Sequence, residues 1–178
     1  MSKTAPASGR VVVIGVGNPF RRDDGVGPAV VQRLRRRHLP GVTLAESDGE
    51  PSQLLDLWAG VDLAIVVDAV RLAQPAPGRI HRRSLRHPST PRVTFTNSHS
   101  IDLGEAVALA AALDRLPPAL RLYAVEAADI SVGVGLSPAV QVAATELVEE
   151  LVQELRGRDF GPGSIRATGS AAGGGARV

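Results

Sequence analysis

The chain has 178 residues, enough for one domain with a sizeable core. Its formal charge is +2 with Lys3 the only lysine, and five aromatics (three Phe, one Trp, one Tyr) are too few for the aromatic-and-basic surface that binds nucleic acid. Zero cysteines exclude disulfides, thiolate metal ligands and a cysteine nucleophile, and no apolar run reaches the ~18–20 residues of a membrane span.

Residues 1–9 are small and polar and have no apolar signal core, so a cytoplasmic protein is expected, bound neither to membrane nor to nucleic acid. From residue 157 the composition is Gly-, Ser- and Ala-rich and too poor in apolar surface to fold. The expected organisation is a disordered 1–9, a single domain over 10–156 and a disordered 157–178. Val11–Val16 is a β-branched run, as in a strand buried on both faces. Pro28 suits the first turn of a helix reaching His38. Val42–Glu46 alternates like a strand, Glu50-Pro51 opens a helix through Trp58, and Leu63–Val67 is a second buried strand.

Arg79–Arg83 is an expected edge strand, followed by a polar linker and a helix over Asp102–Leu113, with Asp102 and Glu105 in capping-box spacing. Leu120–Glu126 reads as the last core strand. The final helix begins at Ser137-Pro138, and its apolar positions Val140, Ala144, Leu147, Leu151 and Leu155 form one stripe. The alternation predicts an α/β fold: a three-layer α/β/α sandwich around a mostly parallel sheet of about five strands.

In such sheets, sites form outside the carboxyl ends of the strands. Here strand one leads to Gly15-Val16-Gly17-Asn18 and Asp23-Asp24, strand two to Asp48-Gly49-Glu50, and strand three to Asp68. The linker carries Asn97-Ser98-His99-Ser100, and Glu126 closes the last strand. Segments distant in sequence thus bring carboxylates and one histidine to one edge. Each has a plainer reading: Asp23 or Asp24 as a helix cap, Asp68 as a partner to a loop, Asp48-Gly49 as a turn and His99 as a cap. His38, His81 and His87 read as surface residues. Jointly, two aspartates and an imidazole suit a borderline divalent cation with open positions for substrate or water. The glycine turn itself lacks the third glycine of a dinucleotide fingerprint, having Phe20 there, and its acidic pair would repel a phosphate.

The ordered set G-V-G-N-P-F-R-R-D-D-G-V-G-P, Asp48-Gly49, V-V-D-A, S-H-S-I-D-L and V-G-L-S-P-A-V resembles the hydrogenase maturation endopeptidases, over about residues 10–155. The resemblance implies a fold of the phosphorylase/hydrolase type and an aspartyl-type protease. Its expected partner is the precursor of a [NiFe]-hydrogenase large subunit, from which it removes a C-terminal extension. It also implies a metal set of Asp24, Asp68 and His99, completing the coordination of a nickel that the precursor supplies. Asp48 is then a possible general base or substrate contact. The sequence departs from the family's Asp-Gly-Gly-Thr after strand two, having Asp48-Gly49-Glu50-Pro51. Two other readings stand beside this one: a non-proteolytic metal-recognition partner in hydrogenase assembly, and a peptidyl-tRNA hydrolase, whose first strand also leads into G-x-G-N-P.

Overall fold

Strand β1 (Val11–Val16) is an inner strand of a five-stranded sheet, and every one of its residues is buried. The computed structural model describes residues 10–86 and 98–157, with side chains except at 86 and 98–102. The expected disordered termini lie outside these residues, apart from Gly157. After β1 come a single 3-10 turn (Arg22–Gly25) and helix α1 (Val26–Arg35), then β2 (Val42–Ser47), α2 (Pro51–Leu57) and β3 (Leu63–Val70). Strand β4 (Ile80–Arg86), α3 (Ser98–Ala112), β5 (Ala119–Glu126) and α4 (Pro138–Arg156) complete the domain.

The sheet order is β2-β1-β3-β5-β4. Strands β1, β2, β3 and β5 are mutually parallel, and β4 is the antiparallel edge, with Ile80 opposite Val125 and Arg86 opposite Ala119. Side chains alternate across the sheet and build two cores. Val11 and Val13 of β1 join Ile65 and Val67 of β3 under α1 and α4, whereas Val12, Ile14 and Val16 join Ala64 and Val66 under α2 and α3. The continuous apolar runs of β1 and β3 follow from this covering of both faces. All five positions of the predicted α4 stripe are buried, and each leucine among them contributes about 2–3 kcal/mol by leaving water.

Helix α1 ends at Arg35, short of the expected His38, and β4 runs over Ile80–Arg86 rather than Arg79–Arg83; two further boundaries differ at the site. Helix α3 begins at Ser98, so Asp102 lies inside the helix and does not cap it, and His99 stands in the first turn rather than in a loop ahead. Ser98-His99-Ser100 holds no helix breaker, so the turn propagates back through it. Strand β3 runs past Asp68 to Val70, because β5 continues the ladder with Asp68 opposite Ala124 and Val70 opposite Glu126.

The topology itself marks a place. From β1 the chain crosses by α1, on one face, to β2; it then crosses by α2, on the other face, to β3 on the opposite side of β1. Crossovers that leave in opposite directions open a crevice at the carboxyl ends of the two inner strands, here β1 and β3.

Candidate active site

The site is built from the turn after β1 upward. Helix α1 approaches this turn so closely that a Cβ on Gly15 would collide with the Gly27 carbonyl, and one on Gly17, at φ +130°, with the Asp24 carbonyl. The glycines therefore bring the Arg22–Gly25 turn down onto the end of β1. Asp24 ends up 3% exposed at the crevice, its Oδ2 accepting the Asn18 N–H at 2.9 Å. Its Oδ1 takes no hydrogen bond among the described residues.

Asp68 stands on the neighbouring strand. Gly15 pairs with Val67, so Asp68 is one residue beyond, level with the end of β1. It is 3% exposed, its Oδ1 accepts the Ala69 N–H at 2.7 Å, and by alternation it belongs to the face covered by α2 and α3. Two buried carboxylates from separate segments thus flank the crevice between β1 and β3. His99 begins the helix on that same face, and its side chain lies outside the described residues. Among the described residues no three His, Cys, Asp or Glu side chains gather to hold a metal.

The remaining acids of this edge divide differently. Asp23, fully buried, accepts four hydrogen bonds: from the N–H groups of Ala128 (2.9 Å), Asp129 (3.0 Å) and Ser137 (2.6 Å) and from the Ser137 hydroxyl (2.8 Å). The capping role expected at Asp23-Asp24 is real, but Asp23 serves the distant α4, whose N-cap Ser137 makes no cap bond with its own side chain. Glu126 was grouped by sequence with the site acids. It is instead committed to the Ala76 N–H (2.5 Å) and to His81 Nε2 (2.7 Å), which corrects the reading of His81 as a plain surface residue. Burial alone would push the Glu126 carboxyl up, but the Ala76 N–H and the His81 imidazole outweigh it and hold the group below the usual range. The sequence signal for this pair was faint: one histidine on an edge strand opposite the end of β5.

Asp48, after β2, is exposed and accepts the Glu50 N–H at 3.1 Å, the turn that Asp-Gly predicts. The departure at Glu50-Pro51 has a local cause. Glu50 caps α2 through Ser52 and Gln53, with Pro51 in the first turn, and the Ser52 hydroxyl together with the Gln53 and Ser52 N–H groups holds its carboxyl below the usual range. Gly49, at φ +97°, turns the chain, and its N–H donates to Ser47 Oγ at 3.0 Å.

A family model described as hydrogenase maturation protease (HycI) matches residues 28–154. The chain belongs to the hydrogenase maturation protease family. The match opens just beyond Asp24, so the turn after β1 is known from its geometry and its sequence motif. The chain is 28% identical over 152 residues to the hydrogenase 2 maturation protease of Escherichia coli K12, covering 83% of this chain and 91% of that protein. It is 28% identical over 151 residues to the hydrogenase expression/formation protein HupD of Thiocapsa roseopersicina, covering 82% and 67%. Among solved structures, the hydrogenase maturating endopeptidase HybD of Escherichia coli superposes with a TM-score of 0.71 at 24% identity, over 83% of this chain and 92% of that one. The hydrogenase 2 maturation peptidase of a Thaumarchaeota archaeon gives 0.60 at 28% identity, over 82% and 97%. The α/β sandwich is the expected fold, and this member of the family is a peptide-bond hydrolase acting in hydrogenase maturation. Among its described residues no helix is long and apolar enough to cross a membrane.

Proposed function

We propose that this protease removes a C-terminal extension from a nickel-loaded large-subunit precursor of a [NiFe]-hydrogenase in the cytoplasm. In this reading the nickel arrives inside the precursor, and Asp24, Asp68 and His99 complete its coordination at the β1/β3 crevice. The observation that carries the reading is the pair of buried carboxylates, Asp24 and Asp68, on separate segments flanking that crevice. Burying a carboxylate is costly without a partner of opposite charge or a set of hydrogen-bond donors. For Asp24 the described residues supply a single N–H. A divalent cation supplies the rest.

The donor set fits such a cargo: two hard oxygens and an imidazole suit a borderline divalent ion and leave positions for the scissile carbonyl or a water. Bound there, the metal polarises the carbonyl or acidifies the water that attacks it. The water's proton passes to a carboxylate at the crevice and then to the leaving amine, so the bond breaks with no net proton change. Asp48, exposed and already shaping its own turn, touches the substrate chain rather than taking the proton. Because the cation comes with the precursor, cutting waits until the metal has been inserted.

The test is cleavage of purified precursor with and without nickel. Nickel-loaded precursor should be shortened by wild type and left whole by His99→Ala, whose thermal melting should match wild type. Equal cutting of nickel-free precursor, or wild-type rates in His99→Ala, would refute the reading.

A further inference from the structure

The loop after β1 does more than carry Asp24. Arg21 forms a parallel β-bridge with Gly133, far along the chain in the loop between β5 and α4. The Gly133 N–H donates to the Phe20 carbonyl at 2.9 Å, and the Arg22 N–H donates to the Gly133 carbonyl at 2.9 Å. The Asp23 N–H adds a bond to the Asp129 carbonyl, Arg21 Nε reaches the Ile130 carbonyl, and the Asp23 carboxylate ties down Ala128, Asp129 and Ser137. Arg22 is held at φ +46°, a conformation a non-glycine residue keeps only when its surroundings enforce it. These bonds join the two loops into one unit.

That unit holds three large apolar side chains in water: Phe20 is 67% exposed, Val132 86% and Val134 73%. The bridge sets Phe20 alongside Val132, with Val134 just beyond. Among the described residues the other exposed large apolar side chains stand singly, Leu109 on α3, Leu113 in the turn after it and Val142 on α4, where single exposed residues are ordinary. Clustering on a braced loop is different, because a contiguous exposed apolar patch marks an interaction site. Arg22 Nε and Asp129 lie 3.2 Å apart beside the patch, and Arg21, in the bridge itself, sets its Nε on the Ile130 carbonyl. Position narrows the partner, since Phe20 and Asp24 belong to the same short loop: whatever covers Phe20 lies next to the crevice.

We propose that Phe20, Val132 and Val134 form a docking platform that grips an apolar segment of the precursor protein and so presents the scissile bond to the β1/β3 crevice. This rests on the precursor being the substrate, and the two ideas separate in one experiment. A variant carrying Phe20→Ser, Val132→Ser and Val134→Ser changes only solvent-exposed positions. Its affinity for nickel-loaded precursor is measured by titration, independently of cutting, and its KM and kcat by gel densitometry. The platform predicts a Kd and a KM raised about 10-fold or more, with kcat kept within about 2-fold. A second variant with Phe20→Leu, Val132→Ile and Val134→Ile, which preserves apolar surface, should restore wild-type affinity. Unchanged Kd and KM in the serine variant overturn the platform, whether or not the protein cuts. If wild type binds the precursor without cutting it, the proteolytic reading fails while the loss of binding in the serine variant still supports the platform. If wild type neither binds nor cuts, both fall. Wild type sedimenting with phosphatidylglycerol–phosphatidylethanolamine vesicles, the serine variant not, and precursor KM unchanged would assign the patch to a bilayer and overturn the proposal.

Discussion

The ends of β1 and β5 lie on the same edge of the sheet, and each buries an acid, yet the two are equipped for different tasks. At the end of β5, Glu126 is answered by an N–H and an imidazole, and the loop that follows β5 answers Asp23 with four donors. At the end of β1, Asp24 is buried almost as deeply and is answered by one N–H. Burial alone therefore does not mark a functional carboxylate. The number of donors already aimed at it does, because a saturated carboxylate has little left to offer a ligand, whereas a half-satisfied one is poised for a cation. The contrast is sharpest between Asp23 and Asp24, consecutive in the chain.

The largest expected effect follows from Asp24→Asn. The amide oxygen can still accept the Asn18 N–H, so thermal melting should be nearly unchanged, while turnover of nickel-loaded precursor drops by ~100-fold or more. A variant that melts early and turns over normally would invert the comparison. Asp23→Ala should do the reverse. It strands the N–H groups of Ala128, Asp129 and Ser137, at a cost of about 3 kcal/mol or more in denaturant unfolding. Precursor turnover of the molecules still folded, measured at low temperature, should stay within an order of magnitude of wild type.

A third, smaller effect depends on pH. The Glu126 carboxyl is held below its ordinary value of 4.5 in the folded protein, so its stabilisation is present above that pH and is lost as pH falls through the lower folded value. Wild type should exceed Glu126→Gln in unfolding free energy by about 1 kcal/mol at pH 7, with the gap closing below pH ~4.5. A gap that persists into acid would mean that the carboxyl is not the stabilising group. The smallest effect is assigned to Asp48→Asn, which keeps the turn acceptor and should change kcat by less than about 3-fold. A general base would cost ~100-fold, measured in the same cleavage assay.

Much of this was legible in the chain. The β-branched and aliphatic runs of Val11–Val16 and Leu63–Val67 could only be strands covered on both faces, and the stripe from Val140 to Leu155 could only be a helix facing a sheet. Once the alternation fixed a parallel sheet, the positions of Asp24 and Asp48 after their strands and of Asp68 near the end of its own followed, because all parallel strands end on the same edge. The capping-box spacing sets the start of α3 at Asp102, whereas the helix begins at Ser98, since such spacing can also occur inside a helix when the residues ahead of it permit another turn. The antiparallel direction of β4 was also out of reach, because it depends on the pairing of Ile80–Arg86 with β5 and not on any local pattern.

What the sequence by itself determined is the frame: the strands, the long amphipathic helix, the edge where carboxylates gather and the glycines that let the turn after β1 close. The tertiary structure decided which acid does what. Asp23 and Asp24 share a composition and a neighbourhood in the chain, and they are told apart by donors from a loop more than a hundred residues away. The same remote loop sets Val132 and Val134 beside Phe20. Local propensity carries no information about such contacts. They exist because the β1–α1 turn and the β5–α4 loop end on one edge of the sheet, where unpaired backbone N–H groups must find an acceptor and the nearest buried carboxylate supplies it.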